Sequence, residues 1–151
     1  MYGDTAVIRR LAARMSEQGT EIRHDADRLV EASQQVLWEG RAARAMRERM
    51  AERAVALRRT ADEHDGAAQA LRHHADEVDR LQDLIREIAH RVLGLVEAAR
   101  SRLAGLADRA LDLVKLVTPD PADELLASFQ PPPEGHKDWL LVPDQIPAGA
   151  R

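Results

Sequence analysis

Large apolar residues recur every seven positions in the first part of the chain. This stripe consists of Ile8, Met15, Ile22, Leu29 and Val36. Four positions after each of the first four comes a small residue: Ala12, Gly19, Ala26 and Ser33. Because a seven-residue repeat keeps one face of a helix turned toward a partner helix, the pattern predicts a helix over residues 5–37. Its small edge admits a close neighbour, and Asp4 can cap its start.

The same repeat resumes after Trp38 and Gly40 and continues to residue 117. Its first stripe holds Ala43, Met50, Leu57, His64, Leu71, Val78, Ile85, Val92, Ala99, Leu106 and Leu113, and its second begins with Ala54, Ala61, Ala68 and Ala75. Glycine readily takes the positive φ that a chain reversal often needs. If the chain reverses at residues 38–40, the numbers of two residues that face each other across the helix pair add up to about 79. This register places large residues opposite large residues and small residues opposite small ones. The pattern therefore predicts an antiparallel helical hairpin over residues 5–75 with a Trp-x-Gly turn.

Residues 78–117 carry a wider apolar face than residues 43–75. Doublets such as Leu84-Ile85 and Val92-Leu93 add apolar side chains beside the stripe. A face of this width needs cover from more than one side. Two arrangements satisfy it: a long, nearly continuous second helix that oligomerises through this segment, or a fold-back into a helical bundle. In both, residues 1–117 form one domain that ends where Thr118-Pro119-Asp120-Pro121 stops the helix.

Residues 118–151 are predicted to be a short helix followed by a flexible, proline-rich tail. Asp120 as N-cap and Pro121 at the first helical position favour a helix that runs to about Phe129. Three successive prolines, residues 131–133, then impose an extended segment. The one apolar cluster of the tail, residues 139–142, is either disordered or a peptide that docks on a groove.

Composition strengthens the prediction of an all-α fold. The 151 residues include 26 Ala and 20 Arg but only 2 Lys and 4 aromatic residues, so helix formers dominate and little material remains for a sheet. Ala and Arg richness with scarce Lys is typical of a GC-rich genome such as that of an actinobacterium. The net charge of −4 gives no reason to expect general binding to nucleic acid or membranes. We expect no disulfide, no Sec-type signal peptide and no membrane span.

Few residues suggest chemistry. His73 and Glu77 share a helix face at a spacing that can hold a metal, but without a third ligand nearby a solvated polar face is expected. His64 takes a core position, as a half-buried spacer or as a pH-sensitive element. Arginines crowd residues 41–59, but Glu48 dilutes them and no aromatic residues interleave, which argues against nucleic-acid binding. No nucleophile motif or phosphate loop is present, so we expect neither an enzyme nor a bound cofactor or metal.

The order of helix, Trp-x-Gly turn and second Ala-rich helix resembles the WXG family (ESAT-six-like proteins). It is closer to the secretion-signal domains at the front of actinobacterial type VII effectors, over residues 1–85. The matching residues are Gly3-Asp4, Leu11-Ala12-Ala13-Arg14, Asp25, Arg28-Leu29, Trp38, Gly40, Ala42-Ala43 and Met46, followed by Leu71 and Ala75. A bare Trp-x-Gly is a weak motif, and its place at the apex of a hairpin of this length makes it more specific.

The resemblance implies a protein–protein interaction role. Family members form four-helix bundles, and a membrane ATPase recognises the pairs before export. It therefore implies a homodimer, or a heterodimer with another WXG-like or effector signal domain, a secretion ATPase as a further partner, and a cytoplasmic location before type VII export. One departure concerns the family's Tyr-x-x-x-Asp/Glu export signal, because the single tyrosine here, Tyr2, has Ala6 four positions on. A partner or a variant signal would have to supply it.

The expected function is that of a type VII secretion substrate, or of the non-toxic partner of an effector, acting through helical dimerisation. The alternative is a cytosolic coiled-coil adaptor or scaffold without export, and a chaperone that grips a client with residues 139–142 also stays open. Trp38 and Gly40 form the expected secretion motif, with Trp38 either read by the secretion machinery or merely capping the hairpin core. The residues expected at the hairpin or dimer interface are Ile8, Met15, Ile22, Leu29, Met50, Leu57, Leu71, Val78, Ile85 and Val92.

Overall fold

The computed structural model describes residues 4–112 and 118–146, the side chains of residues 109–112 excepted. Within that part the chain is all-α, as predicted, and contains no strand. Its helices are α1 (Thr5–Gln35), α2 (Arg41–Asp112), α3 (Pro121–Ala127) and a 3₁₀-helix (Lys137–Asp144). The described residues form two compact units that meet within α2, the first ending at Val78 and the second beginning at Asp79. The domain boundary predicted at residues 117–118 stays a prediction, since residues 113–117 lie outside the described residues.

Both ends of α1 have an identifiable cause. At the start, the Oδ1 atom of Asp4 accepts a 2.9 Å hydrogen bond from the backbone N–H of Ala6, which makes Asp4 the predicted N-cap. At the end, the backbone becomes extended at Val36, so the helix is two residues shorter than predicted. The following turn contains Gly40 with φ +107°, a conformation that side chains rarely permit.

α2 is a single helix of 72 residues. It passes unbroken through Gly66, Gly94 and Gly105, since isolated glycines weaken a helix without ending it, and no proline precedes residue 119. Of the two arrangements expected for residues 78–117, the described part follows the long continuous helix. Residues 113–117 lie outside the described residues.

In the first unit, α1 and residues 41–78 of α2 pack side by side in opposite directions. In order along α1, the contacts are Arg9–Asp76, Ser16–Asp65, Arg23–Asp62, Asp27–Arg58 and Ser33–Arg47. Residue numbers on α2 fall as those on α1 rise, which is the signature of an antiparallel pair. The tightest packing around a glycine is at Gly19, which faces Ala61, one position from the predicted register.

In the second unit, the C-terminal residues fold over the apolar face of α2. The buried cluster consists of Ile85, Val92, Val96 and Ala99 from α2 and Leu126, Trp139, Val142 and Ile146 from the C-terminal part. The predicted oligomerisation face is therefore covered by the chain itself, at least over residues 85–99. Of the two alternatives for residues 139–142, the structure shows the packed one, because burying Trp139 and Val142 against a wide apolar face removes both from water. The residues up to 146 are therefore not a flexible tail.

The short helix after the proline stop is present but ends early, at Ala127 rather than near Phe129. Its N-cap is Asp120, whose Oδ1 accepts a 2.9 Å hydrogen bond from the N–H of Ala122, with Pro121 at the start of the helix as predicted. No helix in the described part of the chain is long and apolar enough to cross a membrane.

Candidate interaction surface

A row of small, buried residues lies between α1 and α2. It consists of Ala12, Gly19, Ala26 and Ser33 on α1 and of Ala54, Ala61, Ala68 and Ala75 on α2. At Gly19 the two helices are so close that an added Cβ would lie 3.1 Å from the backbone oxygen of Ala61. We call this row the small-residue seam. It lets the helices approach closely but leaves little room in the contact for large side chains.

The large apolar residues therefore lie beside the seam. Each precedes a small residue by four positions, which rotates it by about 40° to one side of its helix. Because the helices are antiparallel, the same rotation brings both stripes to one side of the pair. We call this set, together with His64, the apolar flank: Ile8, Met15, Ile22 and Leu29 on α1, and Met50, Leu57 and Leu71 on α2. All eight side chains are half-buried.

The opposite side of the pair is closed by ion pairs. Arg23 lies 2.7 Å from Asp62 and 2.6 Å from Asp65, and Arg9–Asp76 and Arg58–Asp27 are each 2.7 Å apart. These side chains precede a small residue by three positions or follow it by one. Around the helix axis, both spacings place these side chains about 60–100° from the seam, on the side opposite to the apolar flank. The first unit thus has one polar side whose charges pair within the unit and one apolar side that is incompletely buried.

The strongest electrostatic coupling on the polar side is at Arg23. Its hydrogen bonds to Asp62 and then Asp65 raise the pKa of the guanidinium, and burial opposes them. Exposed ion pairs contribute little stability individually. Here the ion pairs fix the alignment of α1 along α2, because a shift of one helix along the other would separate several pairs at once.

The ten residues predicted at an interface fall into two groups. Eight are half-buried: Ile8, Met15, Ile22, Leu29, Met50, Leu57, Leu71 and Val78. The other two, Ile85 and Val92, are fully buried under the chain's own C-terminal part, which leaves them no surface for a partner. The heptad spacing alone could not separate the groups, since Ile85 and Val92 continue the spacing of the half-buried residues earlier on α2.

The outer edge of the apolar flank on α1 is more exposed still. Leu11 is 46% exposed and Val7 is 51% exposed, and both lie on the side of α1 that carries Ile8 and Met15. His64 is the one ionisable residue of the flank, and its Nδ1 atom lies 2.9 Å from the backbone oxygen of Thr60. The flank is thus a mostly apolar strip with a single polar side chain near its middle.

The turn between the helices presents a second apolar feature. Trp38 keeps 51% of its surface exposed, and the neighbouring Leu37 is 96% exposed. A ring that served only to close the end of the helix pair would be more deeply covered. The geometry of the turn instead leaves Trp38 accessible beside Gly40.

Arg47 holds this turn to α2, a role that the sequence analysis missed. Its Nη2 atom donates to the backbone oxygens of Val36 (2.8 Å) and Trp38 (3.3 Å), and its Nε atom donates to that of Ser33 (3.3 Å). The guanidinium thus satisfies carbonyl groups at the end of α1 that have no partner within the helix. One feature of the sequence could have indicated this role. Counting in sevens from residue 47, each later position of the seam repeat up to Ala75 is an alanine, whereas residue 47 itself is an arginine.

His73 and Glu77, the pair at metal-ligand spacing, lie four positions apart on α2. His73 and Glu77 are both exposed on α2. Among the residues that the structure describes, no three histidine, cysteine or acidic side chains are grouped so as to hold a metal ion. The polar face predicted for these residues agrees with their exposure.

The chain was also compared with known proteins. It matches no protein-family model, no curated protein and no solved structure. A functional proposal for this chain therefore rests on its own residues, on their geometry and on the resemblance that its sequence motifs carry.

Proposed function

We propose that this chain is a helical partner-binding protein of a type VII secretion system, either an exported WXG-like substrate or the non-toxic partner of an effector. The observation that carries the proposal is the apolar flank. Seven large apolar side chains line one side of an antiparallel helix pair, and all remain half-buried although the seam beside them is buried. The proposed role is binding, without catalysis.

The two sides of the helix pair differ in how far their side chains are already paired or buried within the chain. On the polar side, the charges of Arg23, Asp62 and Asp65 already pair with each other. On the apolar flank, each further Å² of apolar surface removed from water would contribute about 25 cal/mol. A second pair of helices laid on the flank would supply that burial and produce a four-helix bundle. The partner is either a second copy of this chain or another WXG-like or effector signal domain.

The secretion part of the proposal rests on the turn and on the family resemblance. In our interpretation, residues 5–75 are the WXG-type hairpin, with Trp38 and Gly40 as its Trp-x-Gly turn. The exposure of Trp38 supports a role in recognition by the secretion machinery, because a ring read by another protein has to be accessible. Recognition by a secretion ATPase would then follow pairing, as the resemblance implies.

The alternative function is a coiled-coil adaptor that binds through the same flank but is not exported. One observation favours it: the single tyrosine, Tyr2, is not followed by an acidic residue four positions on, so the family's export signal is missing. Both functions require the flank to bind a helical partner, and they differ only in export.

Pairing is tested by substitutions on the flank with a matched control. We expect Leu57→Glu and Leu11→Glu to abolish association, because each places a charge in the surface that a partner would bury. Ala45→Glu, on an exposed position across the helix from the seam, adds the same charge and leaves association unchanged. The readout is mass by light scattering, for the chain alone and mixed with the product of the adjacent gene, with helicity checked by circular dichroism. Association that survives both flank substitutions in a folded chain would refute the proposal.

Export is tested separately. In the cell that produces the protein, the chain should appear in the culture filtrate, and Trp38→Ala should retain it inside without lowering helicity or pairing. A wild-type chain that pairs through the flank but never leaves the cell would support the adaptor function and contradict the secretion function.

A further inference from the structure

Two rows of residues border the apolar flank, one on each helix of the first unit. Each member lies four positions before a residue of the repeat that forms the flank, which places it about 80° around its helix from the seam. The row of α1 starts at its N-cap and consists of Asp4, Leu11, Gln18, Asp25 and Ala32, and the row of α2 consists of Met46, Arg53, Thr60, Ala67 and His74. We call them the outer rows. Because the seam points at the other helix of the pair, the outer rows point out of the pair, toward whatever covers the flank.

The two outer rows match each other in kind when they are compared at equal height along the helix pair. Gly19 faces Ala61, so residues at equal height have numbers that add up to about 80. Within two positions of that register, acid meets base, polar meets polar and apolar meets apolar. The matched residues are Asp4 and His74, Leu11 and Ala67, Gln18 and Thr60, Asp25 and Arg53, and Ala32 and Met46.

Asp25 and Arg53 do not bind each other within one copy. Both side chains are exposed. The Oδ1 atom of Asp25 accepts a hydrogen bond from Arg28 of the same helix, which leaves Oδ2 for a second donor. Arg53 has no ion pair within the described part of the chain. These two charges thus differ from those of the polar side, such as Arg23, which pair across the seam.

We propose that the occupant of the apolar flank is a second copy of this chain, related to the first by a two-fold axis parallel to the helices. Such an axis keeps every residue at its height, lays α1 of each copy on α2 of the other and places both turns at the same end. The outer row of α1 then meets the outer row of α2 from the other copy in the register described above. Asp25 of each copy lies beside Arg53 of the other, so the ion pair forms twice. This inference rests on the proposed function, because it names the partner that the flank would bind.

The same rows argue against the reverse orientation, in which the two turns lie at opposite ends. That orientation lays α1 on α1 and α2 on α2. With the two flanks centred on each other, Leu11 would lie level with Asp25, and Arg53 would lie level with Ala67. Each of these charged side chains would face an apolar one and lose water without gaining a partner.

The solution mass of the full chain separates this inference from the proposed function. We expect light scattering to give twice 16.8 kDa for the chain alone. A mass of 16.8 kDa alone that becomes a one-to-one complex with the product of the adjacent gene would overturn the second copy as occupant and leave the proposed function in place. A chain that stays at 16.8 kDa in both conditions would refute both.

Charge reversal tests the contact between residues 25 and 53. Asp25→Arg and Arg53→Asp each oppose like charges at both symmetric contacts, so each variant should dimerise at about tenfold higher concentration than the wild type. In an equimolar mixture of the two variants, both contacts again join opposite charges, and dimerisation should return to the wild-type concentration. Only a contact between copies is repaired in this way, because each chain in the mixture still carries its own reversal.

The matched control for charge reversal is Arg59→Asp. Residue 59 is exposed and lies about 120° around α2 from Arg53, so the same charge change there should leave dimerisation unchanged. Circular dichroism at 222 nm checks that every variant is folded. A mixture of folded Asp25→Arg and Arg53→Asp chains that dimerises no better than either alone would overturn the proposed contact.

A distance measurement tests the orientation without altering the outer rows. The chain has no cysteine, so Glu39→Cys in the turn carries a single spin label. With both turns at the same end, the distance between the two labels of a dimer should be well below the length of α1, which is about 46 Å for its 31 residues. A distance equal to that length or longer would show the turns at opposite ends and overturn the arrangement.

Discussion

Gly19 on α1 lies so close to Ala61 on α2 that the two helix backbones leave no ordinary space for a side chain between them. A Cβ atom at Gly19 would stand 3.1 Å from the backbone oxygen of Ala61 and 3.1 Å from Oδ1 of Asp65. A carbonyl held in a helix cannot rotate away, so any larger residue has to push the helices apart. This contact explains why the seam contains small residues and why the large ones lie beside it.

The Gly19 contact predicts that glycines in the two helices respond differently to the same change. Gly66→Ala should stabilise the chain by about 0.5–1 kcal/mol, since Gly66 is exposed within α2 and has nothing within 4 Å of an added Cβ. Gly19→Ala should lose that gain to the contact with Ala61, and Gly19→Val should destabilise by about 1–3 kcal/mol. Urea unfolding followed by circular dichroism measures all three. A Gly19→Val chain as stable as Gly66→Ala would contradict the close approach.

Arg47 is predicted to stabilise the end of α1. Arg47→Ala should cost about 1–2 kcal/mol, because the carbonyl groups of Ser33 and Val36 lose a charged donor. Arg47→Lys should recover only part of the loss, since an ammonium group cannot match the planar fork of a guanidinium. The matched control is Arg49→Ala, which removes an exposed arginine two positions away. Equal melting temperatures for Arg47→Ala and Arg49→Ala would rule out the capping role.

The ion pairs on the polar side should give the helix pair a salt-dependent stability. Arg23→Gln removes contacts with both Asp62 and Asp65, so its melting temperature should fall below that of the wild type at low ionic strength. The gap should narrow at about 1 M salt, where the Debye length is only about 3 Å. Arg14→Gln, on an exposed position of α1, serves as the control. A gap that does not change with salt would show that Arg23 acts through packing rather than charge.

The contact of residues 118–146 with α2 is predicted to weaken in acid. The hydrogen bonds from Arg102 hold the pKa of the Asp123 carboxyl below its ordinary value of 3.8, with burial opposing them. A carboxyl with a lowered pKa in the folded state contributes stability above its unfolded pKa and loses that contribution as pH falls through its folded pKa. In a Trp38→Phe chain, Trp139 is the single tryptophan. Its emission should therefore stay blue-shifted from pH 8 to 5 and begin to move to the red below about pH 4.

The Asp123→Asn variant is the control for that titration. It keeps the shape of the side chain but removes the ionisable group, so the step attributable to residue 123 should vanish. Should the variant show the same acid transition as the wild type, other carboxyl groups would have to cause it.

Much of the first unit follows from local pattern. The seven-residue spacing of Ile8, Met15 and Ile22 specifies which face of α1 is apolar, and the small residue four positions later specifies where a second helix can approach. Asp4 and Asp120 are recognisable caps because their position before a helix is itself a sequence signal. The absence of proline before residue 119 is compatible with an uninterrupted α2, but the sequence also left a fold-back after residue 78 open.

The second unit could not be predicted in the same way. The wider apolar face of residues 78–117 indicates that this part of α2 needs more cover, but no local pattern identifies residues 118–146 as the segment that provides it. The partnership of Arg102 with Asp123 joins residues 21 positions apart on different helices, and no periodic pattern encodes it. Trp139 in a proline-rich stretch has the composition of a loose tail until an apolar face is available to bury it.

The sequence by itself determined the all-α class, the helix caps and the small-residue row, because each depends on interactions within a few residues along the chain. Tertiary structure decided which apolar residues are removed from water. It left Ile22 and Leu57 half-buried on the apolar flank and buried Ile85 and Val92 under residues 118–146. The physical reason is that hydrophobic burial has no direction or sequence specificity of its own, so its outcome depends on which surfaces the rest of the chain can reach.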